Sequence, residues 1–180
     1  MNVSYLLKIL EKKIENANIS TAKLVESIYN AERVFITGVG RSGLIGKLFA
    51  MRLMHIEKLV YIVGEVTTPK IKKDDLLIAI TGSGTTSTIV SHVKIAKAIG
   101  ARILVLTAKT SSIVEKYSNE VIVFNMKSKY EKNSKGDNIM PLGSAFELSA
   151  LVTLEASIAD LITRLNIDES FLRERHTNLE

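Results

Sequence analysis

LLIAITGSGTTST, residues 76–88, joins five apolar residues to eight that are all glycine or hydroxyl-bearing. A short, unbroken apolar run of this kind reads as a strand buried on both faces of a parallel sheet. The hydroxyl-rich remainder reads as a loop whose last residues open a helix. FITGVGRSG (35–43) has the same construction, an apolar run followed by threonine, glycines and a serine. Around these two stretches, strands and helices alternate. Strands are expected at 33–37, 58–63, 76–80, 102–107 and 120–125, each short and rich in Val, Ile and Leu. Helices are expected at 42–55, 86–99 (stopped by Gly100) and 144–164, with a short one near 111–117 and a last one carrying FLRERH (171–176). Ahead of them, Leu6, Leu7, Leu10 and Ile14 fall at helical spacing across 4–16, and a second helix follows near 20–30 with Ser20 as its N-cap. Met51 and Met54 read as packing residues of their helix. Residues 64–75 are short for a helical crossover and leave room for one helical turn.

Strands separated mostly by helices imply an α/β fold, here a three-layer αβα sandwich on a five-stranded parallel sheet of the flavodoxin-like kind, with additional N-terminal helices. At 180 residues the chain reads as a single domain. It divides into N-terminal helices (1–30), an α/β core (31–165) and a C-terminal helix and tail (166–180). A content of 46% hydrophobic residues with two prolines is globular. The absence of cysteine excludes disulfides, thiolate metal sites and a cysteine nucleophile. Lys8, Glu11, Lys12 and Lys13 interrupt any hydrophobic leader, and no apolar stretch reaches membrane-spanning length. A cytoplasmic protein without a membrane partner is expected. The net charge of +5 suits an anionic small ligand. Nucleic acid is not an expected partner, because the lysines are scattered and only 6% of residues are aromatic. Lys127–Lys135 mixes charge signs and reads as a solvated loop.

In a parallel sheet the C-terminal ends of all strands open on one edge, beside the N-termini of the following helices. Free N–H groups in the first helical turn, together with the helix dipole, favour an anion there. Gly38, Gly40 and Ser42 of the first loop can therefore meet Gly82, Ser83, Gly84 and Thr86 of the second, forming a phosphate cup. GVGRSG (38–43) also fits a dinucleotide fingerprint, with Glu65 as the acidic residue beyond the next strand. That motif is weak alone, and the chain leaves no room for a separate substrate domain.

At these loops the sequence resembles the SIS (sugar isomerase) domain family over roughly 30–165, and within it the 6-phospho-3-hexuloisomerase branch. The resemblance rests on FITGVGRSG, GEVTTPKI (64–71), ITGSGTT (80–86), MPLGSAFE (140–147) and RHTNLE (175–180), the last two being the more specific. It implies a phosphosugar held by loops after the first and third strands, at Gly40, Arg41, Ser42, Thr81, Gly82, Ser83, Gly84, Thr85 and Thr86. The family's second loop usually reads SGSGET. Here Thr81 keeps the first hydroxyl, whereas Thr85 stands in place of the glutamate, and Lys73–Asp74–Asp75 lacks the usual glycine before the strand.

The activity implied is interconversion of a 3-keto hexulose 6-phosphate and fructose 6-phosphate through an enediol(ate), which needs no cofactor. His55, His92 and His176 show no metal-ligand spacing, and no metal is expected. The resemblance implies a homo-oligomer, a tetramer, in which neighbouring subunits complete sites. It makes Glu147 the base, a role one carboxylate can fill by moving a proton between adjacent carbons. Read from the residues alone, Ser144-Ala-Phe-Glu147 is also a capping box, which would make Glu147 a helix cap. His176 is the candidate acid or ring-opening group, or else a surface residue between Arg175 and Thr177. Arg41 is a charged donor to phosphate or sugar oxygens, or a solvated loop charge. His55 and His92 read as structural. Two other functions share the cup: a non-catalytic phosphosugar-binding regulatory module, and an isomerase of arabinose or heptose phosphates. Regulators of the first kind usually carry a DNA-binding domain, for which 180 residues leave no room.

Overall fold

Strands β1 (Arg33–Gly38), β2 (Leu59–Ile62), β3 (Leu76–Thr81), β4 (Arg102–Thr107) and β5 (Glu120–Val123) form one parallel sheet in the order β2-β1-β3-β4-β5. The structure is a computed structural model and describes residues 2–127 and 139–179. Register places Ile36 between Ile62 and Ile78, and Thr81 opposite Thr107. Every residue of β3 is buried. Each Leu or Ile buried there contributes roughly 1.5–3 kcal/mol relative to exposure.

The period-two alternation of the strands divides the core between two faces. Val34, Ile36, Leu76, Ile78, Ile80, Leu104 and Leu106 pack toward α1 (Val3–Ala17), α2 (Ala22–Tyr29), α3 (Arg41–His55) and α5 (Ser144–Leu165). Phe35, Leu77, Ala79, Ile103 and Val105 pack toward α4 (Ser87–Ile99) and a 3-10 turn at Val114–Tyr117. A short helix, α6 (Glu169–Glu174), is capped by Asp168, whose side chain accepts from the Phe171 amide at 2.8 Å.

The structure departs from the sequence expectations at several places. Residues 64–75 contain no helix. Pro69 disfavours helical backbone in the residue before it, and the segment instead crosses from β2 to β3 through turns, in which the Glu65, Thr68 and Asp75 amides donate to the Ile62, Glu65 and Lys72 carbonyls, with Ile71 on the α4 face. The helix expected near 111–117 is reduced to the 3-10 turn, with Glu115 accepting from the Ser111 and Ser112 amides at 3.0 Å. Thr21 occupies the N-cap position of α2 but makes no side-chain cap bond, its hydroxyl reaching Asp160 of α5 at 2.6 Å, and it is Ser20 whose hydroxyl accepts from the Ala22 amide at the helix start, at 3.2 Å. Met51 and Met54 are not core residues. They lie exposed on α3, in the same helix as exposed Leu44 and Leu48. Of the mixed-charge stretch Lys127–Lys135, only Lys127 falls within the described residues. Among the described residues, no helix is long and apolar enough to cross a membrane.

Candidate active site

In the order β2-β1-β3-β4-β5 the connections leave β1 and β3 in opposite directions, which opens a crevice beyond their carboxyl ends. A cleft of about 270 Å³ occupies this position. Three helix N-termini meet at it. From α3 come Arg41 and Ser42 of the first turn. From α4 comes its N-cap, Thr86, and from α5 its N-cap, Gly143. None of the three has a side-chain cap bond. Their first-turn N–H groups and dipoles together favour an anion.

Glycines set the two loops where sterics leave no alternative. Gly40 has φ 62° and ψ −134°, backbone that side-chain-bearing residues rarely adopt. At Gly84 (φ +64°) an added Cβ would lie 2.2 Å from Ser112 Cβ. The second loop is held from within and from behind. The Thr81 hydroxyl accepts from the Gly84 amide at 3.2 Å, and Ser83 Oγ accepts from the Thr85 amide at 3.3 Å. The Gly82 and Gly84 carbonyls accept from Ala108 and Val114 at 3.2 and 3.3 Å.

Seven of the nine expected binding residues line the cleft: Gly40, Arg41, Ser42, Thr81, Gly82, Ser83 and Thr86. Gly84 is buried behind the loop against Ser112, and Thr85 is exposed outside the cleft, so these two shape the loop instead of lining it. Sequence reasoning assigned no role to Leu142, Gly143 and Phe146, which form the third wall. The Pro-Leu-Gly just before an apolar helix was the available signal. Leu142 takes left-handed backbone (φ 55°), and Phe146 lies beneath Gly82 and edge-on to Phe124, ring centroids 5.3 Å apart.

Glu147 also lines the cleft, in the first turn of α5. The capping box does not form. Ser144 is the first helical residue and not the N-cap, which puts Glu147 one position too far along. Its carboxylate instead accepts from Arg41 Nε, 106 residues away in sequence.

His176 is not brought to the cleft within one chain. Its ring stacks on His55 at the far end of α3, centroids 5.5 Å apart, beside a second cavity lined by Arg52, Leu172 and Arg173. Helix α3 has 15 residues, so this end lies roughly 20 Å from Arg41 at the usual helical rise. Arg175 fixes the tail there by donating from Nε to Glu57 at 2.8 Å and stacking on Phe171. Burial, and then the neighbouring His176 and Arg52, push the His55 imidazole below its ordinary value. His92 of α4 bonds the Thr37 hydroxyl of β1 at 2.9 Å, and its burial likewise lowers its pKa. Glu65, the acid of the dinucleotide reading, pairs with Lys47 at 2.5 Å. Among the described residues, no group of three or more His, Asp or Glu side chains could hold a metal ion.

A family model for the SIS domain matches residues 27–150, from α2 into α5. The chain belongs to the SIS domain family. This SIS chain is 44% identical, over 156 residues, to the 3-hexulose-6-phosphate isomerase of Methanocaldococcus jannaschii, covering 87% of this chain and 82% of the relative. It is 39% identical over 180 residues to the 3-hexulose-6-phosphate isomerase of Methylomonas aminofaciens, covering 99% and 96% of the two chains. A crystal structure of a Methanococcus jannaschii protein, from which that same isomerase function was inferred, matches the SIS fold here with a TM-score of 0.84. That protein is 37% identical, and the match covers 98% of this chain and 99% of that one.

Proposed function

We infer that this chain is a 3-hexulose-6-phosphate isomerase, interconverting D-arabino-3-hexulose 6-phosphate and fructose 6-phosphate. The observation that carries the chemistry is a carboxylate, Glu147, the one among the described residues that faces a cup built from three helix N-termini. The 6-phosphate sits in the cup, receiving backbone N–H groups and the hydroxyls of Ser42, Ser83 and Thr86. That fixes the carbon chain against Glu147. The carboxylate takes the proton from C2 of the 3-keto sugar, leaving an enediolate across C2 and C3. It returns the proton to C3, and the carbonyl forms at C2. Electrons and protons balance within the substrate, so no redox cofactor enters the reading.

A second group must move a proton between the oxygens, and His176 is suited to it because an imidazole can donate from one ring nitrogen and accept at the other. In this proposal a neighbouring copy supplies it to this cleft, since within one chain it stacks on His55 at the far end of α3. Exposed Leu44, Leu48, Met51 and Met54 give α3 an apolar face for such a neighbour. We take the assembly to be the homotetramer that the family resemblance implies, acting in the cytoplasm.

Purified protein given fructose 6-phosphate is expected to yield the 3-keto isomer up to a fixed equilibrium ratio. No product under these conditions refutes the isomerase. Glu147→Gln and His176→Ala are each expected to be inactive, and to recover part of the activity when their subunits are mixed. Hybrids that stay inactive refute the shared site.

A further inference from the structure

Arg41 and Glu147 are the charged side chains among the described residues lining the cleft, and they are paired with each other. Two features are unexpected for a pair that serves stability. Arg41 opens α3, where a cation opposes the helix dipole, and no acidic residue occupies that first turn. The two partners also differ in exposure: the Glu147 side chain is 12% exposed and that of Arg41 is 65% exposed. The carboxylate is fixed by α5, whereas the guanidinium reaches in from solvent and can leave without disturbing packing. Pairs this open to water contribute little to stability.

A phosphoryl group in the cup would compete for the same guanidinium. It carries more charge than a carboxylate and offers arginine a two-pronged acceptor. We propose that Arg41 is a ligand-exchanged latch, holding the Glu147 carboxylate in the empty cleft and transferring to the phosphate when substrate enters. This rests on the reading of the cup as a phosphate site and of Glu147 as the base. While Arg41 donates to Oε2, a lone pair of that oxygen is engaged. After the exchange it is open to the substrate's carbon-bound proton. Binding and uncovering of the base are then one linked event, and linkage is reciprocal: phosphate displaces Glu147 from Arg41 to the extent that Glu147 opposes phosphate.

The test is a double-variant cycle read by calorimetric titration of inorganic phosphate at constant ionic strength. Arg41→Gln is expected to weaken phosphate binding about tenfold or more, the scale of a charged hydrogen bond. Glu147→Gln, which frees Arg41, is expected to tighten it about fivefold, and to have no effect when Arg41 is already Gln. Arg41→Lys, which keeps the charge and loses the fork, should fall between wild type and Arg41→Gln and guards against a local defect peculiar to the amide. The same gain from Glu147→Gln in both backgrounds would mean plain repulsion between carboxylate and phosphate, and overturns the latch. So does no gain at all, or no binding of phosphate to the wild type. The cycle reads occupancy, not turnover. A protein that completes it yet leaves fructose 6-phosphate unchanged refutes the isomerase and keeps the latch, whereas isomerisation without the coupling refutes the latch alone.

Discussion

Replacing Glu147 with glutamine separates what this residue does for folding from what it does for chemistry. Its structural contributions are small. No capping bond is lost, because none is made. The pair with Arg41 is mostly solvent-exposed on the arginine side, which limits it to about 1 kcal/mol or less. A carboxylate in the first turn of α5 adds roughly 0.3–1 kcal/mol through the helix dipole. The sum stays below about 2 kcal/mol, which for a chain of this size lowers the melting temperature by only a few degrees. The catalytic effect is expected to be far larger. An amide cannot take a proton from carbon, so turnover should fall at least about 10²-fold, equivalent to about 2.7 kcal/mol in the barrier. The assay is isomerisation of fructose 6-phosphate in heavy water, following both the 3-keto product and deuterium entering the sugar. In wild type, label enters at the exchanging carbon as the enediolate is reprotonated. A Glu147→Gln protein that isomerises and exchanges at near wild-type rate would remove Glu147 from the mechanism, whatever its stability.

Ser83→Ala should weaken phosphate binding by about 1–3 kcal/mol with little change in melting temperature, and unchanged affinity in both this variant and Ser42→Ala would exclude the hydroxyls from the cup. Gly84→Ala should destabilise the fold by more than the roughly 1–2 kcal/mol of left-handed backbone alone, because its Cβ meets Ser112. Ser112→Gly should recover the clash and not the backbone term in a thermal melt. Burial lowers the pKa of both His55 and His92, so the unfolded chain takes up protons below about pH 6.5 that the folded chain does not. Melting temperature should therefore hold above that pH and fall as pH drops below it, and replacing both histidines by glutamine should flatten the fall; an unchanged slope would assign it to other groups. Prolonged dialysis against EDTA should leave turnover intact, and loss restored by one divalent ion would reveal a carboxylate-built metal site.

The sheet was legible because burial on both faces leaves an unmistakable trace: LLIAI (76–80) has no polar residue to spare for solvent. The two loops were legible for a related reason, since a strand end that must turn and open a helix needs glycine and small hydroxyl residues. Other features depend on distance in space and left no local mark. Ser144-Ala-Phe-Glu147 satisfies a capping pattern locally, but the Pro141–Gly143 turn shifts the helix start by one residue and hands the carboxylate to Arg41. The tail carrying His176 gave no sign that Glu57 and Phe171 would hold Arg175 at the far end of α3. Met51 and Met54 look identical to core residues in sequence, because an apolar face turned outward has the same composition as one turned inward.

Coverage of the sheet is uneven, and amide hydrogen exchange should record it. Helices α1, α2, α3 and α5 lie over one face, whereas among the described residues the other carries α4, a 3-10 turn and the irregular stretch 64–75. Fewer buried contacts on that side mean that partial openings there cost less than openings of the α3 and α5 layer. Helix α4 should thus exchange faster than α3, although both start at the same cleft. One of the three helix N-termini that build the cup is mounted on the breathing side of the protein and two on the quiet side. A bound phosphate bridges the two, so its occupancy should slow exchange in α4 and leave the already protected amides of α3 nearly unchanged.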